Sequence, residues 1–114
     1  MRAHAVSEVV ESRHPDYRAG ETVTGWFGWQ EFATIGGDAV IRRVLETDLP
    51  YSLALGVLGL NGVTALIGLT VIGEPKSGET VLVSTAAGAV GSAVGQIARI
   101  RGMKARYCPA TRNG

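Results

Sequence analysis

The residues whose types and spacing could do chemistry lie between Val81 and Gly95, in the stretch VLVSTAAGAVGSAVG. A short apolar run gives way to small residues, with glycines at Gly88, Gly91 and Gly95. Ala86-Ala87-Gly88-Ala89-Val90-Gly91 keeps two of the three glycines of the G-x-G-x-x-G pattern, with alanine in the first place. In that pattern a strand turns directly into a helix, whose N-terminal N–H groups face the phosphates of a dinucleotide. Gly88 then stands where the backbone approaches a pyrophosphate, and Gly91 where the helix packs closely on the strand. The amides of Ala89, Val90 and Gly91 point toward phosphate oxygens. The competing reading is a tightly packed helix with small residues on one face. A strand before the glycines and a helix after them weigh toward the phosphate turn.

An acidic residue about 20 positions on, which would hold the ribose 2′-hydroxyl of NAD, is absent. Arg106 and its neighbours occupy that region, which favours the 2′-phosphorylated form, NADP. All ten acidic residues lie at or before Glu79, whereas from Thr80 onward there are five basic residues and no acid. Such a basic segment suits a phosphate-bearing ligand, and equally a solvated helix C-terminus. The formal net charge of +1 points to no nucleic-acid partner. His4, His14 and Cys108 are widely separated and no pair has zinc-ligand spacing, so no metal site is expected. Tyr17, Tyr51 and Tyr107 could each donate a proton, but no motif singles one out, and the catalytic residues stay unassigned. The single cysteine permits no internal disulfide and suits a reducing, cytoplasmic setting.

Three segments must position these residues. With 114 residues the chain suffices for one ordinary domain rather than a two-domain enzyme. Residues 1–46 read as β-structure: a strand with Val6, Val9 and Val10, a turn at HPDYRAGE, then ETVTGWFGWQEFATI and AVIRRVLE. Gly25 and Gly28 interrupt that run and predict a bulge or a close backbone approach. Trp26, Phe27, Trp29 and Phe32 could line a pocket, with sheet packing the stronger expectation. From Leu49 to Gly73 no residue is charged, a length that could span a bilayer. Pro50, five glycines and Asn61 argue instead for two buried helices joined at 60–62. Thr80–Ser84 reads as a short buried strand. Residues 87–101 read as a helix with Val90, Val94, Ile97 and Ala98 on its apolar face.

SRHPDYRAGETVTGWFGWQEF and LGVLGLNGVTALIGLTVIGEPKSGETVLVSTAAGAVGSAVGQIARIRG together resemble the zinc-independent medium-chain dehydrogenase/reductases. Within them the resemblance is to the NADP-dependent alkenal/one and prostaglandin (leukotriene) reductase branch. It implies an α/β chain, part of a GroES-like β-domain followed by the start of a parallel, doubly wound Rossmann dinucleotide-binding domain. The implied boundaries are residues 1–48 for the β-domain portion, 49–73 for an apolar helical region and 74–114 for the first β-α unit. The implied activity is hydride transfer from NADPH to the C=C bond of a small-molecule enal or enone. The implied cofactor-binding residues are Ala87, Gly88, Ala89, Val90 and Gly91 at the pyrophosphate, with Thr64 near the nicotinamide end and Leu60 beside it. Asn61 stands where the family usually has proline, and Leu66 where it usually has tyrosine.

The resemblance also suggests an internal fragment, since Met1 falls within the family's β-domain. After Gly102, MKARYCPATRNG carries basic residues and Pro109 where an apolar central strand should lie, which suggests a shifted or truncated reading frame. So few strands would leave exposed edges and favour a homo-oligomer. Two other readings compete: a non-catalytic remnant or interaction module, and a small single-span membrane protein built on 49–73.

Overall fold

The computed structural model describes residues 1–108. They form two compact units, Met1–Leu55 and one beginning at Gly56.

In the first unit three short strands, β1 (Ala5–Glu8), β2 (Thr22–Gly25) and β3 (Val40–Val44), pair antiparallel in the order β1-β2-β3. Val6 lies opposite Thr24, and Val23 opposite Arg43. β1 is shorter than expected. It ends at Glu8, and Val9 follows outside the strand with its N–H still bonded to the Glu21 carbonyl at 2.8 Å. The expected irregularity at Gly25 is a bulge: Thr24 pairs with Arg42 but Gly25 pairs with Val40, which leaves Ile41 as the extra residue. Val23, Thr24, Phe27, Val44 and Ala54 are buried. Of the four aromatic residues expected to pack the sheet, only Phe27 does. Trp26, Trp29 and Phe32 are 56%, 84% and 75% exposed, because the strand stops at Gly25 and the chain beyond runs as an irregular loop.

The second unit holds α1 (Leu60–Ile67), a π-helical turn (Gly68–Ile72), β4 (Thr80–Val83), α2 (Ala89–Ile100) and β5 (Lys104–Tyr107). β4 and β5 are parallel, with Thr80 opposite Lys104 and Val83 opposite Tyr107, so β4-α2-β5 is a βαβ unit. Leu69, Ala98 and Met103 form its buried core, with Val81, Val94, Ile97 and Ala105 packed against them.

Several expectations for the second unit change here. The break expected at 60–62 is instead the first turn of α1, and the irregular chain precedes it. Gly62 is no helix breaker: a side chain there would collide with the Val57 carbonyl, so the glycine lets the preceding turn lie on the helix. The uncharged stretch 49–73 is divided among a 3-10 turn (Tyr51–Ala54), α1 and the π-helical turn. Among the described residues no helix is long and apolar enough to cross a membrane.

Finally, a strand does form after Gly102. Met103 and Ala105 face the core while Lys104 and Arg106 face away, so the basic residues sit on the open face of a strand covered on one side. β4 shows the same one-sided cover. Val83 is buried but Leu82 is 71% exposed, against the expectation of a strand buried on both faces. Pro109, where that strand was expected to fail, lies outside the described residues.

Candidate dinucleotide-phosphate site

The glycine turn is built from the end of β4 upward. After Val83 the chain leaves the sheet, and the Gly88 N–H donates to the Thr85 carbonyl at 3.1 Å to close a tight turn. Gly88 is the extended residue that caps α2, with φ −78° and ψ 163°. The first intrahelical bond runs from the Ser92 N–H to the Gly88 carbonyl, 3.0 Å. The amides of Ala89, Val90 and Gly91 precede it and have no partner within the helix. No side chain caps this end, and the first turn carries no acidic residue. The N-terminal partial positive charge of α2 is therefore not neutralised by its own helix, the condition an anion requires.

Gly91 has a definite packing role. A Cβ there would sit inside the contact shell of the Thr85 carbonyl oxygen, 2.7 Å from the carbonyl carbon and 3.3 Å from a Val83 methyl. Only glycine lets the first turn of α2 lie this close to the strand end. At Gly88 the neighbours are looser, with the Thr85 methyl 3.0 Å from where a Cβ would lie. Gly95, one turn on, meets the Tyr107 ring and hydroxyl in the same way, locking α2 onto the end of β5.

The remaining expected site residues lie on α1, which packs along α2. Leu60 and Thr64 are one turn apart and both exposed. The Thr64 hydroxyl donates to the Leu60 carbonyl at 2.7 Å, the usual fate of a helical threonine. Lys104 and Arg106 lie on the outward face of β5, both exposed. Cys108 is exposed, its N–H bonded to the Val83 carbonyl at 3.0 Å. Among the described residues no three His, Cys, Asp or Glu side chains come together to hold a metal.

The tyrosines occupy three different settings. Tyr17 lies against His14 and under the Arg43 guanidinium, Tyr107 lies against Gly95, and Tyr51 borders a cavity in the first unit. His4, a residue the sequence offers only as an isolated imidazole, also borders that cavity. No spacing rule links His4 to Trp29 and Tyr51, which meet it only through the fold.

Residues 1–42 match a family described as the N-terminal domain of oxidoreductase. The chain is 48% identical over 104 residues to the NADPH-dependent curcumin reductase of Escherichia coli (strain K12), covering 91% of this chain and 30% of that protein. It is 40% identical over 102 residues to the 2-alkenal reductase (NADP(+)-dependent) of Nicotiana tabacum, covering 90% of this chain and 30% of the relative. Among solved structures, CurA in complex with NADPH from Vibrio vulnificus superposes with a TM-score of 0.78 at 39% identity, over 94% of this chain and 32% of that one. The chain thus spans about 30% of the length of the curated relatives it matches. An antiparallel sheet, a following parallel βαβ unit and these likenesses agree: the chain is similar to NADPH-dependent reductases that include curcumin and 2-alkenal reductases.

Proposed function

We propose that this chain serves an NADPH-dependent reductase of small α,β-unsaturated aldehydes or ketones, and that its own contribution is the pyrophosphate cradle. The observation that carries the reading is the uncapped, acid-free N-terminus of α2, held against the end of β4 by Gly91. In this proposal Ala87, Gly88, Ala89, Val90 and Gly91 hold the pyrophosphate through backbone amides, while Leu60 and Thr64 of α1 border the nicotinamide end. Arg106, on the outward face of β5 with no acid in the segment after Glu79, selects the 2′-phosphate over a free hydroxyl. NADPH, when bound, supplies the hydride added to the carbon–carbon double bond. The chain's residues bind and orient it, since such transfer needs positioning more than a nucleophile. Residues 1–48 are assigned to the β-domain portion, 49–73 to the apolar helical region and 74–114 to the nucleotide-binding portion, in a reducing, cytoplasmic setting.

A Gly88→Asp substitution tests the cradle, provided the Thr85 methyl, 3.0 Å from the added Cβ, yields by a few tenths of an ångström or so. Aspartate is a favoured N-cap, so stability should hold within a few tenths of a kcal/mol, roughly, of the unchanged chain. Its carboxylate meets the phosphates directly, and NADPH affinity, read by nucleotide fluorescence titration, should fall at least about tenfold, the equivalent of ~1.4 kcal/mol. Undiminished binding would remove α2 from the site.

The second reading, a non-catalytic interaction module or homo-oligomer, draws support from Ile72, Leu82 and Ile100, which are 79%, 71% and 84% exposed. A chain that binds no nucleotide yet sediments as a defined oligomer would favour it.

A further inference from the structure

Both sheets of this chain are open at their edges. β1 is an outer strand of the order β1-β2-β3, and β5 has β4 on one side only. Successive residues of a strand aim their backbone N–H and C=O groups to opposite sides. On β1 the odd-numbered residues face β2: just past its end, the Val9 N–H donates to the Glu21 carbonyl at 2.8 Å and the Val9 carbonyl accepts from the Gly20 N–H at 2.7 Å. The backbone groups of Val6 and Glu8 therefore face the open edge. On β5 the Lys104 N–H donates to the Glu79 carbonyl at 2.9 Å, and the Cys108 N–H after it to the Val83 carbonyl at 3.0 Å. That leaves the backbone groups of Ala105 and Tyr107 on the open side. Each edge thus offers a pair of residues two apart, the spacing at which one extended strand adds to another.

Charge tells these edges apart. A groove of about 1210 Å³ is lined by β1 and by residues 30–37. Glu8, Glu11 and Glu31 border it, with Arg13 as the one guanidinium. The Arg13–Glu11 contact, 4.0 Å between two exposed groups, neutralises little of that charge. Phe32 and Ile35 add exposed apolar surface to the same groove. β5 is the opposite: Lys104 and Arg106 are exposed, and among the described residues neither has an ion-pair partner. The other two outer strands lack free charge. On β3, Arg43 pairs with Glu21 at 3.3 Å and Arg42 with Glu46, and β4 carries no charged residue. Pairing β5 with a second β5 would set like charges side by side, which is unfavourable.

We infer that this chain associates with itself by strand addition: the β5 edge of one copy enters the groove beside β1 of a second copy. Lys104 and Arg106 then lie among Glu8, Glu11 and Glu31, while the backbone of Ala105 and Tyr107 meets that of Val6 and Glu8. Main-chain bonds supply the attraction, and the opposite charges select which edges meet. The inference goes beyond the nucleotide reading and stands whether or not α2 binds phosphate. In the nucleotide-free chain Arg106 has no 2′-phosphate to hold, so its charge is available to the groove.

The test is sedimentation velocity of the full chain over a range of concentrations, without nucleotide and with a reductant, so that the exposed Cys108 forms no cross-link. The inference expects species larger than one chain, whose share grows with concentration. Glu8→Lys with Glu31→Lys should weaken association at least about tenfold, and so should Lys104→Glu with Arg106→Glu, since each sets like charges together. Glu8→Gln with Glu31→Gln, which removes the charge without reversing it, should weaken association by a smaller factor. Mixed, the two charge-reversed chains should associate again, because each then meets an edge of opposite sign. Recovery on mixing also shows that both variants are folded. Single chains at every concentration, reversed variants that associate as the unchanged chain does, or a mixture that stays as single chains would each overturn the inference. Because NADPH is absent throughout, any of these results leaves the phosphate-cradle reading standing. Loss of NADPH binding with association intact would condemn the cradle alone.

Discussion

Replacing Gly91 by alanine is the sharpest test of how α2 is held on β4. Elsewhere in a helix such a change stabilises by about 0.5–1 kcal/mol, because alanine has less backbone freedom to lose. At Gly91 the added carbon overlaps the Thr85 carbonyl and comes within 3.3 Å of Val83, so backbone on the strand side must move. Overpacking of this kind costs about 1–3 kcal/mol. The obstructing atom is backbone rather than a flexible side-chain end, which places the cost in the upper half of that range. After the propensity gain is subtracted, the variant should be less stable by about 1–2 kcal/mol. Gly68→Ala is the internal control. Gly68 is helical, and nothing lies within 4 Å of the added carbon, so this variant should gain about 0.5–1 kcal/mol. Urea unfolding followed by circular dichroism measures both, read as midpoint changes at constant slope. A Gly91→Ala chain as stable as the unchanged one would refute the close approach, and so would matching shifts in the two variants.

Three further outcomes follow from the same geometry. Glu74, just after the π-helical turn, has a φ of +42°, and left-handed backbone costs a residue with a side chain roughly 1–2 kcal/mol. Glu74→Gly should therefore raise the urea midpoint by the equivalent of about 0.5–1 kcal/mol once glycine's entropy is counted. Met103 is 7% exposed in the core with Leu69 and Ala98, so Met103→Ala should cost about 2–3 kcal/mol and show as a lower melting temperature. The Glu46 carboxyl is held below its ordinary value by the bond from its own backbone amide, then by the charge of Arg42 and the Leu45 amide, against an opposing push from burial. A depressed carboxylate stabilises the fold above the unfolded value of 4.5 and loses that contribution as pH falls through the folded value. Glu46→Gln should accordingly flatten the acid side of the stability-versus-pH curve and leave its neutral side with the smaller slope it already has.

The glycine turn was legible because its signals are local: an apolar run, small residues, then a helical repeat, all within the reach of one βα turn. Gly91 shows the packing contact its place in the pattern requires. β5 was not legible by the same logic. A strand covered on both faces needs a continuous apolar run, but Lys104-Ala105-Arg106 alternates because one side of this two-stranded sheet is open. Gly62 and Asn61 read as a helix break because glycine lowers helix propensity. The close approach of Val57 that makes glycine necessary there is a tertiary fact, invisible in propensity. The aromatic run after Gly25 misled for a related reason. Sheet packing needs a strand to hold the rings on one face, and β2 ends before Trp26. His4 carries no motif at all. It is brought beside Trp29 and Tyr51, which border the same cavity, only by the fold.

The most direct test of the central claim is thermal unfolding of the full chain with NADPH and, in parallel, with NADH at the same concentrations. The account predicts a rise in melting temperature with NADPH that grows with concentration and reaches about 2.7 kcal/mol of added stability at ~100 times the dissociation constant. NADH, which lacks the 2′-phosphate offered to Arg106, should raise it less. An unchanged melting temperature with NADPH would contradict the cradle at α2, and equal shifts with the two nucleotides would contradict the role given to Arg106.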